Sequence, residues 1–360
     1  MSSRALILFA LVAASQGFGL PCQLGQVRAQ ETASAGNSDP IAPAGGEANL
    51  LGKPSLKPPV VDPALELLDP RIYRLKIVIR VDAPDGVANN VAVVGPIPMQ
   101  WPEQRLRLLT ETVTPGAKVL ETMLKGQAAM LKLTVPTIPK GGHASVERLY
   151  EITRYRTQFT LPGGELKLAK AVPAELREQL TSPAPGLEMT HPKLIDLAKS
   201  LKLDSSTPWD QVKHMWQWTR DNVKFENGDF RGALFAVEQH CGDCEEMSAL
   251  LISLVRLNGG IARTVWVEGH DYPEFYLVDA QGKGHWVPCQ VVGPAWFGEI
   301  TEYRPIFQKG DRFYDPFQKQ QVRYVPHTVK ADGSAPPKLK IEHLIIADSD
   351  INGPGYTNTK

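Results

Sequence analysis

The sequence predicts an α+β protein: a β-sandwich domain followed by a domain in which helices lead into a small sheet. Three observations carry this. Across residues 73–81, Tyr73, Leu75, Ile77, Ile79 and Val81 alternate with Arg74, Lys76, Val78 and Arg80, the period of a half-buried strand. Met247, Leu250, Leu251 and Leu254 recur at i, i+3, i+4 and i+7, the stripe of an amphipathic helix. Behind that helix lie three segments rich in β-formers, residues 261–268, 270–277 and 285–290.

The N-terminus reads as a secretory signal. Met1 to Arg4 is a short positive stretch, and residues 5–14 form an apolar core far shorter than the roughly 20 residues that span a bilayer. Val27, Arg28 and Ala29 suit a small-residue cleavage site, so residues 1–29 are expected to leave and the mature chain to be exported, to the periplasm or beyond. The mature chain holds no segment apolar enough to cross a membrane. Residues 30–69 are rich in Ala, Gly, Pro and Ser and predict a disordered linker.

The sandwich is expected over residues 70–165. Its strands are 73–81, 105–113, 129–135 and 150–159, punctuated by Pro115-Gly116 and Pro162-Gly163. A connector occupies 166–185. The second domain, 186–330, opens with helices at 192–201 and 209–223. Residues 331–360 are polar, contain Gly and Pro, and predict a loose tail.

Lysine plus arginine and aspartate plus glutamate number 39 each, which leaves no electrostatic footprint for nucleic acid. Cleavage would leave Cys241, Cys244 and Cys289, an odd set unsuited to a disulfide framework. Cys244 stands out. Asp243 can cap the helix that follows, Glu246 can complete a capping box, and Asn258-Gly259-Gly260 supplies the stop. Unpaired N–H groups in that first turn favour a thiolate. His270 opens the strand after next, where a base for the thiol is needed. His285 opens the following strand and is the competing histidine, expected to point away or to stand behind the reacting groups. A metal reading gathers His240, Cys241 and Cys244 with His285 or Cys289, but a second paired motif is missing.

These segments resemble the transglutaminase-like superfamily, which includes peptide N-glycanases and bacterial cysteine proteases. Its Gly-x-Cys matches Gly242-Asp243-Cys244, and its acidic residue two places on matches Glu246. Its leucine-rich helix and Gly-Ile-Pro-Ala-Arg match residues 250–257 and Gly260-Ile261-Ala262-Arg263, without the proline. Its His-Ala-Trp-x-Glu-x-Tyr matches residues 270–276. The resemblance covers roughly residues 187–290. Where the family closes with Trp-x-Pro-x-Asp, this chain reads Trp286-Val287-Pro288-Cys289-Gln290.

The resemblance implies a papain-like cysteine-protease core and acyl transfer through a thioester. Cys244 attacks an amide carbonyl of a protein or peptide substrate. His270 takes the thiol proton and later protonates the leaving amine. Gln290 orients His270, and a hairpin centred near Ala280 would bring position 290 across from 270 on one face. The Cys244 N–H contributes to an oxyanion hole. Water as acceptor gives a peptidase or amidase; an amine gives a cross-linker. No acidic calcium loop is present, so no metal cofactor is expected. Because Gln290 is neutral, an inactive binding module that keeps the fold stays open, and the His240, Cys241 and Cys244 set leaves a third reading, a zinc-stabilised structural domain. Asp315, in Tyr314-Asp315-Pro316, is the rival third member.

Overall fold

The computed structural model describes residues 60–346 except 125–126, 171–176, 178–179 and 316–318. The signal peptide expected at 1–29, and residues 30–59 of the expected linker, lie outside the described residues. Strand β1 (Leu65–Ala83) starts inside the stretch read as linker. Its early leucines have partners, with Leu65 opposite Phe159 and Leu67 opposite Thr157, and composition averaged over the stretch hid them.

The alternation of residues 73–81 does what its period requires. Tyr73, Leu75, Ile77, Ile79 and Val81 are all buried. After β1 come β2 (Ala88–Ile97), β3 (Gln104–Val113), β4 (Lys118–Leu124), β5 (Ala128–Ile138) and β6 (Gly142–Phe159). The buried face of β1 packs with Val93 of β2 and Leu131 and Leu133 of β5 in one apolar cluster. Each such side chain contributes about 1.5–3 kcal/mol on full burial. A short β7 (Lys167–Leu168) precedes the four helices fully within the described residues: α1 (Pro192–Ser200), α2 (Pro208–Asn222), α3 (Ala233–Gln239) and α4 (Cys244–Leu257). Two short strands among them, β8 (Lys224–Phe225) and β9 (Cys241–Gly242), pair in parallel. The chain continues through β10 (Ile261–Val267), β11 (His270–Val278), β12 (Gly284–Pro288), β13 (Glu299–Ile300), β14 (Ile306–Lys309), β15 (Phe313–Asp315), β16 (Gln320–Val322), β17 (Thr328–Gly333) and β18 (Lys338–Ile346).

The strands form two large sheets. One has the order β13-β6-β1-β18, with β3 also on β6; the other runs β12-β11-β10-β14-β5-β2-β17, with β4 on β5 and β7 on β11. The second sheet is continuous from the early strands into those behind α4, because β14 pairs with both β10 and β5. The last described residues are also woven in. Residues 338–346, read as loose tail, form β18 and lie along β1 from Arg74↔Ile346 to Asp82↔Lys338. Leu339, Ile341 and Ile345 face the apolar cluster while Lys338, Lys340 and Glu342 face out. That is the same period-two signal as β1, masked by the polar residues around it.

The four complete α-helices fall between Pro192 and Leu257; outside them the described chain is strand and loop apart from a 3-10 turn at Gly163–Glu165 and helical residues 177 and 180–181. The described protein is strongly β-rich with few helices, so the α+β and papain-like expectations hold only in part. Leu250 and Leu254 of α4 pack with Trp216 of α2, Phe275 and Leu277 of β11 and Val287 of β12. This layer sets the start of α4 against the start of β11.

Candidate active site

The turn into α4 is fixed by reciprocal bonds. The Asp243 side chain accepts from the Glu245 N–H at 2.8 Å, and Glu246 Oε2 accepts from the Asp243 N–H at 2.8 Å. Both arms of the predicted capping box are present, a device worth on the order of 1 kcal/mol. The other Glu246 oxygen accepts from the Arg231 N–H at 2.7 Å, which ties the turn to the loop before α3. Gly242 is required by space: a Cβ there would sit 2.6 Å from the Glu246 Cβ. Cys244 is the first residue of α4, partly exposed, and its thiol is free, so it forms no bridge with Cys241.

His270 opens β11, and its Nε2 lies 3.1 Å from Gln290 Oε1. With the Nε2 proton donated to that amide oxygen, Nδ1 is left as the free base. Gln290 is itself held firmly. Its N–H donates to the Trp296 carbonyl at 2.8 Å, and its carbonyl accepts from Trp216 Nε1 at 2.7 Å and Arg220 Nη1 at 3.2 Å. The β11–β12 register pairs Glu274 with Pro288. Continued past the strand end, it sets Gln290 opposite Tyr272, so the contact with His270 is diagonal rather than direct.

A third side chain joins the first two. The Cys244 sulfur, a His270 ring nitrogen and an Asp271 carboxylate oxygen all lie within 4.8 Å of one another. Asp271 is completely buried. Neither of its oxygens accepts a hydrogen bond of good geometry among the described residues. The Cys244 thiol and the Ser248 hydroxyl are the polar groups that approach it. Sequence reasoning missed this residue. Its signal was an acid at the place where the family pattern has alanine.

The electrostatics differ from the expected thiolate. Burial pushes the Cys244 thiol up, and the nearby carboxylates of Asp271 and Asp243 add to the rise. A helix terminus supplies only about 0.3–1 kcal/mol at exposed sites, and here desolvation outweighs it. Burial also raises the Asp271 carboxyl well above the usual range, with Arg323 working against the rise. Burial lowers His270 to about 4; Glu302 opposes this and Arg304 adds to it. At neutral pH the resting pair is thus a thiol facing a neutral imidazole.

The other candidates lie elsewhere. His285 is engaged by Asp62 at 2.7 Å and Asp279 at 3.1 Å. Cys289 is buried with its sulfur 3.7 Å from the Pro273 carbonyl, and His240 Nδ1 sits 3.3 Å from the Asn222 carbonyl. The metal set read from sequence is therefore not assembled, because His285 and Cys289 each face other partners. Asp315 lies on β15, beside Val94, Met130 and Val325. Arg323, also missed, pairs with Glu245 in the first turn of α4 and stacks over Phe230 at 3.4 Å.

No curated protein matches the chain. A crystal structure of a proposed cysteine protease from Cytophaga hutchinsonii overlays with a TM-score of 0.51 at 13% identity, covering 81% of this chain and 96% of that one, a likeness of fold. A proposed protease from Parabacteroides distasonis overlays at 0.25 with 14% identity, covering 54% of this chain and 43% of that one, too loose to bear on the architecture. Residues 195–296, which hold Cys244, His270, Asp271 and Gln290, match the family model of the transglutaminase-like superfamily.

Proposed function

We propose that the chain is a thiol hydrolase or acyltransferase acting on amide bonds of proteins or peptides. The observation that carries this is the approach of the Cys244 sulfur to a His270 ring nitrogen, with the His270 Nε2 side held by Gln290. As the sulfur attacks the carbonyl carbon, its proton passes to His270 Nδ1. The oxyanion that forms is met by N–H groups at the α4 start. Collapse expels the amine, which takes the proton from His270, and leaves a thioester on Cys244. Water or a second amine then releases the acyl group. The imidazolium formed on the way is steadied by the neutral Gln290 oxygen, a bond roughly half as strong as one to a carboxylate.

The leader-like residues 1–29 support export, which would place the reaction outside the cytoplasm. None of the described helices is long and apolar enough to cross a membrane. A second reading, a non-catalytic module of the same fold, is favoured by the neutral Gln290 and by the buried Asp271 beside the thiol. Acyl trapping separates the two. Metal-free protein is mixed with a peptide thioester or activated ester and analysed by mass spectrometry. An acyl adduct on Cys244 that turns over, and is absent in Cys244→Ala, supports the enzyme. No adduct under conditions that alkylate the thiol leaves the module.

A further inference from the structure

We propose that Cys244, His270 and Asp271 form a binding site for a divalent cation of borderline softness, zinc above all, which takes the Cys244 sulfur out of reach while it is bound. The site differs from the zinc set read in the sequence, sharing only Cys244 with it. It does not depend on the thiol being a nucleophile.

Three arguments converge. The first is geometric. Zinc binds sulfur at about 2.3 Å, imidazole nitrogen at about 2.0–2.1 Å and carboxylate oxygen at about 2.0–2.2 Å. Around a tetrahedral ion such atoms stand about 3.5 Å apart. Here the three donor atoms already lie within 4.8 Å of one another, so small side-chain rotations close the set. Cys244 and His270 are both partly exposed, so a fourth ligand would come from solvent.

The second argument is charge. Asp271 is fully buried, and its two oxygens lack well-formed hydrogen bonds among the described residues. A buried carboxylate in that condition is costly unless it is neutral or meets a cation. Arg323, the cation that acts on it, is engaged by Glu245. A thiolate, a carboxylate and a neutral imidazole around a doubly charged ion sum to zero, which suits a buried site. Binding releases the thiol proton to solvent, together with the carboxyl proton wherever Asp271 was neutral beforehand.

The third argument is the surroundings. A ligating histidine usually gives its other N–H to an acceptor that fixes the tautomer. Gln290 Oε1 stands at that place, 3.1 Å from Nε2. Both departures from the family pattern therefore point one way. The acid is missing on the far side of the imidazole, at position 290, and an acid is present on the thiol side, at position 271. Thiolate and imidazole select zinc over calcium or magnesium, which prefer oxygen-only shells.

The test uses tag-free, chelator-treated full chain in a non-coordinating reductant. Zinc is titrated against a chromogenic chelator, and cobalt(II) is used as a spectroscopic substitute. The expected result is one ion per chain, a thiolate-to-cobalt charge-transfer band, and alkylation of Cys244 that zinc slows and chelator restores. Calcium and magnesium should not compete. Gln290→Ala should weaken zinc about 10–100-fold, as outer-shell changes do. Cys244→Ser, His270→Ala and Asp271→Asn should weaken it further, and Cys289→Ser should leave it unchanged. Asp271→Asn is isosteric and removes a buried charge, so its melting temperature should hold or rise while zinc is lost. Zinc uptake unchanged in Asp271→Asn or Cys244→Ser, or a cobalt protein without the thiolate band, overturns the proposal. The acyl-trapping experiment is run on metal-free protein, so the thiol chemistry stands or falls separately.

Discussion

His270 and Gln290 meet on a diagonal between β11 and the chain just past β12, Nε2 to Oε1 at 3.1 Å. The acceptor is neutral, so the imidazolium gains nothing from a full opposite charge. Gln290→Asp is expected to shift the pH profile of Cys244 alkylation toward acid in metal-free protein. Asp315→Asn is expected to leave it in place, since Asp315 lies on β15. A shift with Asp315→Asn and none with Gln290→Asp would hand the orienting role to Asp315.

Cys244→Ala should abolish acyl trapping and amide turnover, while Cys289→Ala should retain them. His270→Ala should cost about 100-fold or more in rate, the scale of lost general-base catalysis. His285→Ala, whose ring is bound by Asp62 and Asp279, should act on stability instead. Steady-state rates beside thermal melts separate these outcomes.

Gly242→Ala should damage both stability and the site. The new methyl would stand 2.6 Å from the Glu246 Cβ, and overpacking of this kind typically costs about 1–3 kcal/mol. Urea unfolding gives the cost. Loss of turnover should exceed the fraction unfolded, because Glu246 holds the turn that aims Cys244.

Arg256 near the end of α4 meets Asp311 through Nη2 at 2.7 and 2.9 Å, with both side chains buried. Breaking such a pair from one side costs about 3–5 kcal/mol. Arg256→Met should therefore destabilise strongly, and Arg256→Met with Asp311→Leu should recover part of the loss. Midpoints in urea for the three proteins check this. Equal losses in the single and double variants would mean the charge left behind is not the cause.

Acid should destabilise the protein through two histidines. Burial holds both His270 and His327 at about 4, below the ordinary 6.5. The folded state therefore binds fewer protons than the unfolded chain between these values. Their contribution is complete above about pH 6.5 and is lost as pH falls toward 4. His327→Gln should flatten the fall in melting temperature between about pH 7 and pH 4.5. A slope equal to that of the parent would show that His327 does not titrate in this way.

Much of the local structure was legible because it is coded locally. Asp243, Glu246 and Asn258-Gly259 bound α4 as their chemistry requires, and the alternation of residues 73–81 identified the core face of β1. What was missed depends on distant partners. Leu65 reads as part of a linker until Phe159 lies beside it. The alternation of residues 338–346 has no meaning without β1. Asp271 was missed for a different reason. Neighbours on a strand point to opposite faces, so sequence argues against His270 and Asp271 reaching one sulfur. They do so because α4 begins where β11 begins.

The pairing of β1 with β18 also governs the order in which the molecule can be completed. On a ribosome, β1 is made early, and its partner on that edge is the last described strand. Until β18 arrives, that edge of β1 offers unpaired N–H and C=O groups to any extended chain nearby. Closing it joins the two ends of the described sequence, the slowest kind of contact to form. A nascent or C-terminally clipped chain would carry this open edge with Cys244 and His270 already synthesised. Aggregation of truncated chains, rather than simple loss of the tail, is the behaviour this architecture dictates.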